Sequence, residues 1–227
     1  MSDDKKSFWT ETLPDPLPEN PLEVAADWLA RASAAAAQPN PNAMVLASTD
    51  ARGQPSARVV LCKGIETGPG CILFYTNYRS RKGGELTQNP RAAAVFHWDH
   101  VHRQVRIEGQ VEVMSDAEND AYFHSRAWQS QLGAWASQQS EPLAARADLT
   151  AAVAAQARRF GIPYAGPGAP EPDNVTVQVP RPPNWGGFRL RAAAVELWVE
   201  GEFRIHDRAR WTRKLPAGAW SATRLQP

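Results

Sequence analysis

The sequence predicts a mainly β fold with peripheral α-helices, and three observations predict it. Between residues 43 and 114 the apolar residues come in short runs of 6 to 12, rich in Val, Ile, Phe and Tyr and separated by turn residues. The same punctuation returns after residue 185. No βαβ alternation and no repeat of fixed period interrupts it. Closely spaced strands joined by tight turns imply antiparallel pairing, and about eight of them suggest a small closed barrel.

Taken in order, residues 1–20 carry Pro14, Pro16 and Pro18 among acids and polar groups, which predicts a tail or an extended lead-in strap ahead of a single domain over 21–227. Asn20-Pro21-Leu22-Glu23 supplies an N-cap, a proline at the first helical position and a glutamate at N3. Leu22, Ala25, Ala26, Leu29, Ala32 and Ala36 then recur at helical spacing, so a helix runs to about Ala37, where Gln38-Pro39-Asn40-Pro41-Asn42 ends it. Strands are predicted at 43–49, 55–63, 71–76, 91–98 and 102–113, with turns at 50–53, 67–70 and 99–101. Ser80 to Asn89 has too much charge and glycine for a strand and reads as a short helix closed by Pro90. Ser115-Asp116-Ala117-Glu118 is a second capping box, opening a helical region that continues with breaks through Gly133 and again over 140–160. The seven prolines and three glycines of 161–184 predict a long surface loop. Strands resume at 188–199, 203–213 and 220–225.

With 227 residues and 25.0 kDa the chain can bury a sizeable core without disulfides or structural metal. Its 25 Lys and Arg against 24 Asp and Glu leave no global field to attract nucleic acid or an anionic membrane, so any anion site must be built locally. Cys62 and Cys71 lie in apolar runs and read as reduced thiols. Met1 to Phe8 lacks the apolar segment of a secretory signal, and no run approaches 18 apolar residues, so a cytoplasmic location is expected.

Common nucleotide-binding, dinucleotide, hydrolase and zincin motifs are absent from the sequence. Four clusters remain. Arg58 and Lys63 punctuate an apolar strand, on opposite faces unless a bulge intervenes. Tyr75-Thr76-Asn77, followed by Ser80-Arg81-Lys82-Gly83-Gly84, places two cations where a strand ends and a helix begins, the makings of a phosphate cradle or a solvated turn. Tyr122, Arg126 and Ser130 fall at i, i+4 and i+8, so one helix would point a phenol, a guanidinium and a hydroxyl the same way. Period 2 puts Arg204, His206 and Arg208 on one strand face, which either meets water or has something anionic or aromatic against it. His97, His100 and His102 lie at a predicted hairpin turn with no cysteine nearby in sequence, and solvated histidines rather than a metal site are expected there.

Taken together, RVVLCK (58–63), FYTNYRSRK (74–82), NPRAAAVFHW (89–98), RQVRIEG (103–109), YFHSR (122–126), SQLGAWASQQS (130–140), WGGFRL (185–190), ELW with RIHDR (196–198, 204–208) and the closing RLQP resemble, in order, the pyridoxamine 5′-phosphate oxidase family. The resemblance runs from about Asp15 to Pro227. It implies an FMN-binding split barrel acting as a homodimer, with each flavin held between subunits. By matching position, Arg58, Lys63, Tyr75, Thr76, Arg81, Lys82, Gln104, Gln139, Ser140, Trp198 and Arg208 look like FMN contacts. Lys63, Tyr122, Arg126 and Ser130 look like the grip on the substrate phosphate, and Arg204 with His206 like the catalytic pair that holds the pyridine ring over the flavin.

The implied reaction oxidises pyridoxine 5′-phosphate or pyridoxamine 5′-phosphate to pyridoxal 5′-phosphate, with O2 reduced to hydrogen peroxide and ammonia released from the amine. A flavin oxidase of the same fold acting on another ring, of the phenazine-pathway type, and a non-catalytic carrier of flavin or pyridoxal phosphate are the alternatives. Three segments depart from the family pattern. Phe8-Trp9-Thr10 stands where an Arg and Tyr lid segment is usual, Ala127-Trp128-Gln129 replaces a proline-and-acid spacer, and the stretch from Gly161 to Pro180 is long.

Overall fold

A computed structural model describes residues 11–227, so Phe8-Trp9-Thr10 and the first half of the expected strap lie outside the described residues. The chain divides into two compact units. The first takes the described part of Met1–Phe74 with Gln88–Glu112 and Phe188–Pro227, and the second takes Tyr75–Thr87 and Val113–Gly187.

The first unit is built on antiparallel sheet. Its strands are β1 (Ala43–Thr49), β2 (Pro55–Leu61), β3 (Gly64–Glu66), most of β4 (Cys71–Asn77), β5 (Arg91–Trp98), β6 (Arg103–Val113), most of β7 (Trp185–Val199), β8 (Asp207–Thr212) and β9 (Ser221–Leu225). The ladder runs β2-β1-β5-β6-β7-β4-β3, and β8 branches from β7 to carry β9. This order has two ends, so the sheet is a branched half-barrel, where tight turns alone suggested closure. Register follows the hydrophobic alternation: Met44 and Leu46 of β1 and Val105 and Ile107 of β6 point into a core with Phe74, Phe96, Trp98, Phe188, Leu190, Leu197 and Trp211. The opposite face keeps the cross-strand pair Val45 and Val59 in view, Val59 being 65% exposed, with Leu61 beside it.

Two predicted strands change at residues that matter later. The expected strand 55–63 ends at Leu61, because the Cys62 N–H donates to the Asn42 carbonyl and the Lys63 N–H to the Leu73 carbonyl at 2.7 Å. Pairing passes there from β1 to β4. The expected strand 203–213 begins only at Asp207, after a 3₁₀ turn over Glu202–Arg204.

Helix α1 (Pro21–Ala35) opens as predicted, with the Asn20 side chain accepting from the Leu22 N–H at 3.1 Å. Its buried stripe is Leu22, Ala25, Trp28 and Ala32, with Trp28 rather than Leu29 turned inward. The described part of the lead-in is held on this unit. Leu13 is 2% exposed and donates its N–H to the Asp207 carboxylate at 2.7 Å, Trp211 Nε1 donates to the Pro18 carbonyl, and Glu11 pairs with Arg31 and Arg103. Cys62 and Cys71 are buried free thiols, and burial, reinforced by the Glu66 carboxylate, pushes Cys71 up to about 12.

The second unit carries the helices α2 (Arg81–Gln88), α3 (Asp116–His124), α4 (Trp128–Ala136) and α5 (Arg146–Arg159). Ser115 caps α3 through the full reciprocal box with Glu118, which typically contributes about 1 kcal/mol. The core joins Phe123, Leu132, Ala157 and Trp185 to Ile162, Tyr164 and Val179, three residues from the proline-rich segment. That segment has no helix or strand, as expected, yet it packs inward at both ends instead of lying wholly on the surface. No helix among the described residues is long and apolar enough to cross a membrane.

Asn119, buried on α3, accepts from the Gly187 N–H at 2.7 Å and donates to the Met114 carbonyl at 3.1 Å and the Tyr78 hydroxyl at 3.2 Å. It serves backbone groups that water cannot reach. Asn119→Ala is expected to lower unfolding stability by about 1–3 kcal/mol, the cost of orphaning such groups, as read from urea denaturation midpoints.

Candidate functional site

The second unit gathers Tyr75, Tyr122 and Arg126 around one ring. Tyr122 stacks on Tyr75 with centroids 3.9 Å apart, Trp185 lies 5.3 Å from Tyr75 and 6.2 Å from Tyr122 in nearly parallel planes, and the Arg126 guanidinium sits 4.6 Å from the Trp185 centroid and 5.5 Å from that of Phe123. Arg126 Nη1 is buried and has no hydrogen-bond partner among the described residues. Burial holds this guanidinium below its ordinary range, with Tyr122 acting weakly in the opposite sense. A desolvated cation with an unused donor is suited to receive an anion.

The single helix expected to align Tyr122, Arg126 and Ser130 is broken. α3 stops at His124, Ala127 takes extended angles (φ −54°, ψ 139°), and α4 starts at Trp128. Tyr122 and Arg126 therefore meet through the aromatic cluster and not through helical spacing, while Ser130 is exposed on the first turn of α4.

Strand alternation at the end of β4 sends Thr76 to a different neighbourhood from Tyr75. Lys82 Nζ lies 3.0 Å from Thr76 Oγ1, 2.9 Å from Gln139 Oε1 and 3.4 Å from Ser80 Oγ, and Ser140 Oγ accepts from the Arg81 N–H at 3.1 Å. Arg81 itself reaches Glu85 at 2.9 Å. The turn into α2 needs glycine at 83, since a Cβ there would stand 2.2 Å from the Tyr78 carbonyl oxygen. The expected cluster of Thr76, Arg81, Lys82, Gln139 and Ser140 is thus assembled at a helix start, an ammonium among neutral oxygens.

In the first unit Arg58 donates to Ser48 Oγ at 2.5 Å, to Ser56 Oγ and to the Leu46 carbonyl, while Lys63 is exposed where the strand changes partner. Gln104 sits opposite His97 in the β5–β6 register. Arg204, His206 and Arg208 do not share the strand face that period 2 predicted. Phe203 and Arg204 both have positive φ (54° and 66°), which turns the chain before β8 and leaves Arg204 exposed. His206 instead packs on Trp198 at 4.7 Å, its Nδ1 accepting from the Gly201 N–H at 3.2 Å. Arg208 is tied by Glu196, whose other oxygen takes Arg106, in a chain that runs on through Glu108 to Arg210. His102 pairs with Glu200 at 2.5 Å, and among the described residues no group of three or more His, Cys, Asp or Glu is placed to hold a metal ion.

Trp185, Phe123 and Glu196 organise these clusters, and reading the sequence assigned none of them a role. Glu196 had a signal: a lone acid in the apolar run AAAVELWV must be paired if that strand is buried. Trp185 had none, because a tryptophan opening a strand looks like any core residue.

A family model described as pyridoxamine 5′-phosphate oxidase matches residues 31–158, and one described as pyridoxine 5′-phosphate oxidase C-terminal dimerisation region matches 185–227. The chain is 46% identical over 210 residues to a pyridoxine/pyridoxamine 5′-phosphate oxidase of Rhodopseudomonas palustris, covering 92% of this chain and 91% of that one. It is 44% identical over 208 residues to that of Rhizobium etli, covering 91% and 92%. Among solved structures, PhzG from Burkholderia lata in complex with tetrahydrophenazine-1-carboxylic acid superposes with a TM-score of 0.79 at 30% identity, over 94% of this chain and 95% of that one. A pyridoxamine 5′-phosphate oxidase-related, FMN-binding protein from Nostoc punctiforme gives 0.68 at 15% identity over 93% and 100%, a likeness of fold.

Glu196 is buried and shared by two guanidinium groups, so its removal takes a carboxylate from both and leaves Arg106 with Glu108 and Arg208 with the Gln226 carbonyl. Glu196→Ala is expected to cost about 2–3 kcal/mol, a typical loss for hydrogen bonds to charged groups, and calorimetric melting at 0.05 and 0.5 M salt should show much of that loss at both.

Proposed function

This chain belongs to the pyridoxamine 5′-phosphate oxidase family, and we propose that it uses FMN and O2 to convert pyridoxine 5′-phosphate and pyridoxamine 5′-phosphate to pyridoxal 5′-phosphate. By that membership it is a pyridoxine/pyridoxamine 5′-phosphate oxidase of vitamin B6 metabolism. The observation that carries the assignment of its residues is the Arg126 guanidinium, desolvated against aromatic faces with one donor unspent. Such a donor suits the substrate's phosphate, and the Tyr122 side chain adjoins it through Trp185. Lys63 and Ser130 complete the proposed grip; both are exposed and open to a ligand.

The donor set around Lys82 fits the FMN phosphate, because an ammonium, two hydroxyls and the start of a helix are groups a dianion accepts from. The proposed FMN contacts are Arg58, Lys63, Tyr75, Thr76, Arg81, Lys82, Gln104, Gln139, Ser140, Trp198 and Arg208. Bound FMN supplies the two-electron acceptor, from which O2 takes the electrons as hydrogen peroxide. The protein's part is to bind and orient. Because His206 Nδ1 accepts a backbone N–H, its neutral ring carries hydrogen on Nε2, a donor for the oxygen on the pyridine ring. Arg204, exposed on its turn, is assigned to lie across that ring. Holding phosphate and ring at separate points fixes the 4′ carbon, which is how positioning lowers the barrier.

A homodimer is proposed from the matched dimerisation region, and the exposed Val45, Val59 and Leu61 offer apolar surface for such a contact. A second reading, oxidation of a phenazine-type ring, is favoured by the likeness to the Burkholderia lata protein.

Anaerobic addition of pyridoxine 5′-phosphate to the yellow protein is expected to bleach the flavin band; bleaching by a reduced phenazine carboxylate alone would favour the second reading. Arg126→Ala is expected to raise KM about 10- to 100-fold, the equivalent of one charge-assisted contact, with FMN content unchanged. Parallel loss of flavin and of substrate affinity would refute the division between the two sets of residues.

A further inference from the structure

We propose that Trp185 is a positioning residue of the phosphate grip: its indole face holds the Arg126 guanidinium in place of a carboxylate, leaving the charge to the substrate. The inference rests on the assignment of Arg126 to the phosphate made above.

Three arginines show the carboxylate-bound arrangement, whereas Arg213 is held by the Ala192, Pro69 and Gly70 carbonyls beside the Trp220 ring, which leaves it no unpaired fork. Arg181 is bound by Asp116 and Asp120, Arg191 by Glu112 and Arg208 by Glu196. A carboxylate partner neutralises a guanidinium in advance and occupies the fork a phosphate needs. Arg126 lies against π-faces instead, 4.6 Å from Trp185 and 5.5 Å from Phe123, with Nη1 buried and unpartnered. The quadrupole of an indole attracts a cation without taking its hydrogen-bond donors. The same ring stacks with Tyr122, the other aromatic member of the grip, and with Tyr75, so one plane sets the position of three side chains.

The ring is fixed in turn. Trp185 is 7% exposed, its backbone N–H donates to the Pro182 carbonyl at 3.0 Å, and its carbonyl accepts from Arg181 Nη1 at 2.8 Å. Arg181 also binds Asp116 and Asp120 on α3, the helix that carries Tyr122. Behind it Gly187 has no room for a side chain, since a Cβ would stand 2.5 Å from Met114 Sδ and 2.8 Å from the Tyr75 ring. Backbone, salt bridge and close packing therefore deliver the indole to one place.

The test compares Trp185→Leu, which keeps apolar bulk without a π-face, with Trp185→Phe, which keeps a smaller face, in the FMN-loaded protein. Trp185→Leu is expected to raise KM for pyridoxine 5′-phosphate, and the inhibition constant of inorganic phosphate, each about tenfold, with kcat within about twofold and FMN at full stoichiometry; Trp185→Phe should recover most of that loss. Trp185→Met replaces the leucine variant if that does not fold. A phenylalanine variant as impaired as the leucine one, or flavin lost in step with phosphate affinity, overturns the proposal by making the indole mere filling. Arg126→Ala, run alongside, separates the two readings. If it weakens phosphate binding while Trp185→Leu does not, the role of Trp185 falls and the assignment of Arg126 stands; if it has no effect, the assignment itself falls.

Discussion

A cation removed from water has to be held by something, and two of the ways in which the chain meets this constraint differ in what they leave over. On the sheet, carboxylates do the holding: Glu196 and Glu108 alternate with Arg208, Arg106 and Arg210 across β6, β7 and β8. Beside α3, aromatic faces do it, and Arg126 is left with a donor that no group among the described residues uses. The first arrangement pairs each guanidinium with an acid, and the second leaves one with a donor to spare. A paired guanidinium has satisfied its demand for negative charge, whereas one held by ring quadrupoles keeps that demand for a ligand.

Backbone geometry determines which arrangement each residue joins. Alternation at the end of β4 splits neighbours, Tyr75 to the aromatic stack and Thr76 to the Lys82 cluster. The handover of pairing at Cys62 and Lys63 breaks what would have been one long strand, so Arg58 and Lys63 escape the fixed relation that continuous alternation would impose. The two left-handed residues before β8 likewise lift Arg204 out of the sheet while His206 settles on Trp198. Departures from regular structure thus coincide with groups proposed to meet ligands, and at Phe203 and Arg204 the departure is a left-handed backbone.

Much of this was legible in the residues. Hydrophobic alternation gave β1, β5 and β6 nearly to their ends, and the capping boxes gave the starts of α1 and α3, because each is a local signal of a few residues. The helix over 122–130 and the strand over 203–208 were misread because period alone cannot register a break decided by tertiary packing. Trp28 displaced Leu29 from the buried stripe of α1 for the same reason: neighbours elsewhere in the chain decide which of two adjacent apolar residues turns inward. Most candidate residues came through family likeness to ordered motifs, and what likeness left out were the supporting groups, such as Trp185 and Glu196, whose importance lies in what they touch.

Asp207 begins β8 one peptide after His206, and its two carboxylate oxygens face opposite ends of the chain: one takes the Leu13 N–H, the other the Arg224 guanidinium of β9. Lead-in and final strand are moored to a single side chain. Fraying at either extremity, from trimming or an ill-chosen fusion, would slacken the tether beside the imidazole, so engineering of the ends is engineering of the turn that carries Arg204 and His206.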